Sequence, residues 1–106
     1  MPARRTTARE SFGDIAPALA EYTDDVLFGS VWERPGLAPR DRSLNTVAAP
    51  IALYRTNKLP FHLKFALQND VTQDEIIEVI THLAFYSGWP TANTAVAIAR
   101  RVFDED

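Results

Sequence analysis

Apolar positions recur at close to 3.6 residues along nearly the whole 106-residue chain, the period of amphipathic helices. The spacing predicts a first helical region from about Phe12 to Phe28, with Ile15, Leu19, Tyr22, Val26 and Leu27 on its apolar side. Pro17 falls in its first turn, where a missing N–H costs little. Gly29 to Ala38 carries turn residues without a regular period. Pro39 opens a second helix bearing Leu44, Val47, Ala48, Ile51 and Ala52, expected to end around Arg55 to Asn57. Pro50 lies inside it and removes the N–H that would bond the Thr46 carbonyl, so a kink over Thr46 to Ala49 is expected. A short third helix, about Pro60 to Gln68, has Leu63, Ala66 and Leu67 on one side and is closed by Asn69-Asp70.

Thr72-Gln73-Asp74-Glu75 has the form of a capping box, in which hydroxyl and carboxylate each satisfy an orphan amide at a helix start. The fourth helix that follows is apolar over most of its circumference, from Ile76 to Tyr86, which places it at the centre of the domain or at a subunit interface. Gly88 stops it and Pro90 begins a last helix, whose Ala92, Ala95, Val96, Ala99 and Phe103 form a stripe that lets another helix approach closely. The pattern therefore predicts an all-α fold, a compact helical domain of about five to six helices over residues 12–106, behind a flexible tail over residues 1–11.

Composition narrows the function classes. A 46% hydrophobic fraction supports one core, and a domain this small often completes it by oligomerising. The 11 basic and 14 acidic side chains are interspersed with a formal charge of −3, so no basic surface follows a phosphate backbone and nucleic acid is not an expected partner. The absence of cysteine excludes a disulfide framework or peroxidatic thiol from this chain and fits a reducing cytoplasm. Met1 to Arg9 is basic but leads into no apolar run, so no secretory signal is expected. No window approaches the roughly 18 apolar residues that span a bilayer, so no membrane partner is expected either.

Candidate chemistry lies with the polar residues set among the helices. His62 and His82 are the two histidines, and histidine titrates nearest neutrality. Glu78, His82 and Tyr86 fall at i, i+4 and i+8, lining up a carboxylate, an imidazole and a phenol on one face. Each histidine, taken alone, equally fits a satisfied core residue. Arg40 and Arg42 stand in the first turn of the second helix, where cations are unfavourable unless they meet anions. With Arg34 they could hold a substrate carboxylate through bidentate forks, or Asp41 could neutralise one locally. Trp32 and Trp89 flank turns and could serve as packing anchors or pocket walls. Two histidines 20 residues apart without a His-Glu-x-x-His pair make no metal site, and no Gly-rich loop cradles a phosphate.

Three ordered blocks carry a resemblance. They are Phe28-Gly29-Ser30-Val31-Trp32-Glu33-Arg34-Pro35-Gly36-Leu37-Ala38-Pro39-Arg40-Asp41-Arg42-Ser43-Leu44, His62-Leu63-Lys64-Phe65-Ala66-Leu67, and Glu75 through His82-Leu83-Ala84-Phe85-Tyr86-Ser87-Gly88-Trp89-Pro90. Over roughly residues 12–103 the chain resembles the carboxymuconolactone decarboxylase family. The resemblance implies an alkylhydroperoxidase D-like helical subunit in a ring-like trimer or hexamer, with sites near subunit contacts. A related branch uses a Cys-x-x-Cys pair shortly before a histidine. Arg55 and Lys58 occupy those places here, so thiol peroxidase activity is not expected. Pro50 and Asp70 depart from the family pattern, which has an aliphatic residue and a glycine there.

The resemblance further implies a cofactor-independent carboxy-lyase acting on a small carboxylated lactone such as 4-carboxymuconolactone, in aromatic-compound degradation. The electrons left by CO2 flow into a dienolate conjugated with the lactone carbonyl, so the protein needs only to hold, stabilise and reprotonate. On that reading Arg34, Arg40 or Arg42 binds carboxylates beside Trp32, Tyr86 and Trp89, His82 or His62 supplies the proton, and Glu33 and Glu78 orient or tune the acid. The alternative is a non-thiol family member that binds or transforms another small carboxylate, or a non-catalytic oligomeric module.

Overall fold

Thr72 caps a helix as its sequence predicts: its hydroxyl accepts the Glu75 N–H (3.1 Å) while Glu75 Oε1 accepts the Thr72 N–H (2.9 Å). In the computed structural model, which describes residues 7–105, every regular element is helical. In chain order these are α1 (Ala8–Phe12), α2 (Pro17–Glu21), a π-helical segment (Tyr22–Val31), α3 (Pro39–Ala52), α4 (Leu59–Gln68), α5 (Gln73–Ser87) and α6 (Trp89–Asp104). The chain divides into two compact units, one up to Pro39 and one from Arg40 onward.

The first unit departs most from the sequence pattern. Helix begins at Ala8, inside the stretch expected to be tail; residues 1–6 lie outside the described residues. The Asp24 carboxylate accepts the Ala8 N–H (2.8 Å) and the Arg9 N–H (3.0 Å), satisfying orphan donors at the start of α1. That partner lies 16 residues away in sequence, while Thr7 caps the same helix locally, its hydroxyl accepting the Glu10 N–H at 3.2 Å. Arg9 also pairs with Asp25 at 2.6 Å. The predicted continuous helix is broken after Phe12 by a turn at Gly13, where a Cβ would stand 2.7 Å from the Arg9 carbonyl oxygen. Pro17 does sit in the first turn of α2. From Tyr22 the chain takes i→i+5 hydrogen bonds, ending with Trp32 N–H to the Leu27 carbonyl at 2.9 Å. A π-helix advances fewer degrees per residue than an α-helix, so the 3.6 spacing no longer gathers one face. Tyr22, Val26 and Leu27 are accordingly exposed, and Ile15 in the turn after Gly13 and Leu19 on α2 are exposed as well, so no buried side forms.

The second unit holds the hydrophobic core. Val47 and Ile51 of α3, Leu59 and Leu63 of α4, and Ile76 and Ile80 of α5 are almost fully buried there. α6 packs against both α4 and α5, and its buried Ala92, Ala95 and Ala99 let those helices come close, as the small-residue stripe predicts. α5 buries Ile76, Ile80 and Ala84 but leaves Phe85 and Tyr86 about three-quarters exposed (75% and 77%), so only part of its apolar surface serves this core. Asn69 caps α4 and its side chain donates to the buried Ser43 hydroxyl of α3 at 2.9 Å. Asp70 adopts the left-handed region (φ 72°), which aspartate tolerates better than most residues. Among the described residues no helix is long and apolar enough to cross a membrane.

α3 ends at Ala52, earlier than expected. The Tyr54 N–H bonds the Ile51 carbonyl (3.1 Å) and the Arg55 N–H bonds the Pro50 carbonyl (2.8 Å), the paired reverse bonds of a Schellman stop. Arg55 to Lys58 thereby become a connection rather than a last helical turn, and this decides what surrounds His62.

Candidate functional site

His62 lies in the first turn of α4, its N–H bonded to the Lys58 carbonyl at 3.2 Å. Helical geometry brings Lys58 and His62, four residues apart, onto the same side of the chain. The early stop of α3 turns Leu53, Arg55 and Asn57 toward the same space, and Asn45, Thr46, Ala49 and Pro50 complete its wall. The result is an open cavity of about 620 Å³ whose lining carries Arg55, Lys58 and His62 but no Asp or Glu. Pro50 belongs to that wall, with Thr46, whose carbonyl lacks the i+4 N–H that any other residue at 50 would supply.

The imidazole of His62 is half-buried, its edge against Phe61 (centroids 5.3 Å apart). Its Nδ1 is buried without a hydrogen-bond partner among the described residues. Burial lowers its pKa from the usual 6.5, and the positive charge of Lys58 lowers it further, because both disfavour a second cation there.

His82 occupies a different place. It is exposed on α5, its ring 4.8 Å from that of Tyr86. With Glu78, Val79 and Leu83 it faces Leu44, Asn45 and Ala48 of α3 across a second cavity of about 460 Å³. Glu78 and His82, expected on one face with Tyr86, line one cavity without it, and only Asn45 is common to the walls around the two histidines.

The remaining candidates are distributed. Arg40 is taken up by Glu75, the capping-box residue, with Asp41 a further 3.8 Å neighbour. Arg40 is thus neutralised chiefly by a residue 35 positions away rather than locally by Asp41. Arg42 is half-buried in the first turn of α3 and lines neither cavity. Trp32, Glu33 and Arg34 belong to the first unit; Trp32 stacks on Phe28 (6.2 Å), and the Glu33 and Arg34 amides close turns onto Ser30 and Val31 (3.2 Å each). Trp89 meets Phe85 edge to face at 5.1 Å on the surface. Arg55 and Lys58 stand in the sequence as replacements for a redox pair and Asn57 as a helix end; the Lys58 to His62 spacing is the signal that points to Lys58, and no spacing points to Arg55. Among the described residues no group of three or more His, Asp or Glu side chains is placed to hold a metal ion.

Sequence comparison matches residues 17–101 to the carboxymuconolactone decarboxylase family. The chain belongs to that family. It is 38% identical over 96 residues to a 4-carboxymuconolactone decarboxylase of Acinetobacter baylyi, covering 91% of this chain and 72% of that protein. It is also 35% identical over 85 residues to a nitrosuccinic acid decarboxylase of Metarhizium robertsii, covering 80% of this chain and 59% of that protein. Both relatives carry decarboxylase names.

Proposed function

We propose that this chain is a cofactor-independent carboxy-lyase that decarboxylates a small carboxylated substrate, 4-carboxymuconolactone being the leading choice, in the cavity around His62. The observation that carries this reading is the clustering of Arg55, Lys58 and His62 on one wall without a neutralising carboxylate. Such a set attracts anions, and a guanidinium can hold a carboxylate by two parallel hydrogen bonds.

In the proposed reaction, Arg55 and Lys58 bind the substrate's carboxylates and offset the negative charge that spreads onto the lactone carbonyl as CO2 departs. The C–C bonding pair enters the conjugated system as a dienolate. His62, as imidazolium, delivers a proton to the ring carbon and is reprotonated from solvent. Asn45, Asn57 and Thr46 supply hydrogen bonds that orient the ring. The relatives' names carry two different substrates, so purified protein should be tested with both 4-carboxymuconolactone and nitrosuccinate, following lactone absorbance and CO2 release. Failure of folded protein to turn over either one refutes the reading.

A pH profile gives a sharper test. The lowered pKa of His62 means that the imidazolium of the free protein is lost as pH rises through a midpoint below 6.5. The kcat/KM profile, which reports the free enzyme, is expected to fall along that limb, whereas the kcat limb shifts upward because bound carboxylates stabilise the cation. Lys58→Met removes a charge that lowers the His62 pKa, so it should move the kcat/KM limb to higher pH as well as weaken binding. A limb that stays in place rules out His62 as the titrating acid.

We further propose that the chain works as a homo-oligomer, trimeric or hexameric, since Phe85, Tyr86 and Trp89 leave a large aromatic patch uncovered on the second unit. Sedimentation at micromolar concentration should give an assembly, and a monomer would contradict it.

A further inference from the structure

Tyr54 is a non-glycine residue in the left-handed region (φ 59°), and unlike Asp70 it has no short polar side chain to ease that conformation. Glycine is the usual occupant of this position in a Schellman stop. Its neighbours on both sides, Leu53 and Arg55, line the His62 cavity. The phenol lies 3.3 Å from the Thr94 hydroxyl on α6. Thr94 Oγ1 donates its own hydrogen to the Pro90 carbonyl (3.1 Å), so in this pair the Tyr54 O–H is the donor and Thr94 the acceptor. The residue that takes the strained turn is therefore also tied, through its far end, to the helix that packs against α4 and α5.

We propose that Tyr54 is a positioning residue for the anion-binding cavity: its left-handed backbone turns Arg55 out of the α3 axis, and its phenol, anchored on Thr94, holds that turn in place. The inference rests on the reading of the His62 cavity as the substrate site, and adds the element that sets where the Arg55 guanidinium stands. A glycine would make the same turn without strain but without the anchor. The strained tyrosine makes physical sense if rigidity at Arg55 is what the site needs, because backbone strain persists where surrounding contacts over-determine it.

Tyr54→Phe removes only the donor, and Tyr54→Asn keeps a residue that tolerates the left-handed turn while removing ring and anchor. In both, the Arg55 amide, bonded to the Pro50 carbonyl in the native protein, is expected to exchange with solvent about fivefold faster, the change that loss of one neutral hydrogen bond implies. With 4-carboxymuconolactone, KM should rise several-fold at nearly unchanged kcat, while thermal midpoints stay close to that of the native chain. A purely structural role would instead lower the thermal midpoint and leave KM alone. Unchanged Arg55 exchange in both variants overturns the proposal whether or not the lactone is a substrate. If the native chain turns over neither compound, the decarboxylase reading fails by itself, and the exchange measurement still decides whether Tyr54 holds Arg55.

Discussion

Replacement of His62 by alanine is expected to lower turnover of 4-carboxymuconolactone by about 10²–10⁴-fold, the contribution of a positioned general acid. The same change at His82 should leave the rate within the same order of magnitude. The difference follows from surroundings. His62 stands beside Arg55 and Lys58 in a cavity free of acidic side chains, with an unpartnered, buried Nδ1. His82 is exposed, lies against Tyr86 and shares its cavity with Glu78, whose charge opposes a substrate carboxylate. Because removing the acid acts on a transition-state step, the loss should fall on kcat, with KM changing less. Following lactone absorbance with each single variant and the double variant checks the assignment. A His82→Ala loss as deep as that of His62→Ala would transfer the proton donor to the α3–α5 cavity, and near-native turnover by the double variant would remove histidine from the mechanism.

The second large effect is on stability. Leu63 follows His62 directly on α4 but points into the core, where it is fully buried (0% exposed). Leu63→Ala is expected to cost about 3 kcal/mol through lost apolar burial and an unfilled cavity, which lowers the melting midpoint of a domain this size by roughly 15 °C. Leu63→Met, which conserves volume, should cost less than about 1.5 kcal/mol. Urea titrations of both variants provide the check. If Leu63→Ala unfolds at the native midpoint, α4 is not anchored by this side chain and the fixed position of His62 needs another source. The two expectations concern adjacent residues about 100° apart around one helix: Leu63 faces the core and His62 the cavity.

The helices from α3 onward were largely legible because their signals are local. The Thr72–Glu75 capping box, the Asn69-Asp70 closure, Gly88 and Pro90 act within a few residues of the boundaries they set. Before Pro39 the same period misled: Asp24 takes two α1 amides from a distance beside the local Thr7 cap, and the π-helical turn breaks the relation between spacing and face. Gly13 stands at the end of α1, where a Cβ would crowd the Arg9 carbonyl, but a lone glycine in a helical pattern does not announce a break.

The candidate site divides in the same way. The sequence by itself determined the chemistry that the chain has to offer: two histidines, no cysteine, a cation four residues before His62, and an all-α frame whose ordered blocks mark the family. Which of these groups meet was decided by tertiary structure. Arg40 was drawn to Glu75, whose place at the start of α5 no spacing within α3 reveals. Arg55 and Lys58 became cavity residues because α3 stops at Ala52 on a left-handed Tyr54, a backbone conformation that side-chain periodicity does not encode. His62 and His82, alike as members of apolar helical patterns, ended in separate cavities because a histidine's role depends on burial and neighbouring charge, and both are set only when helices pack.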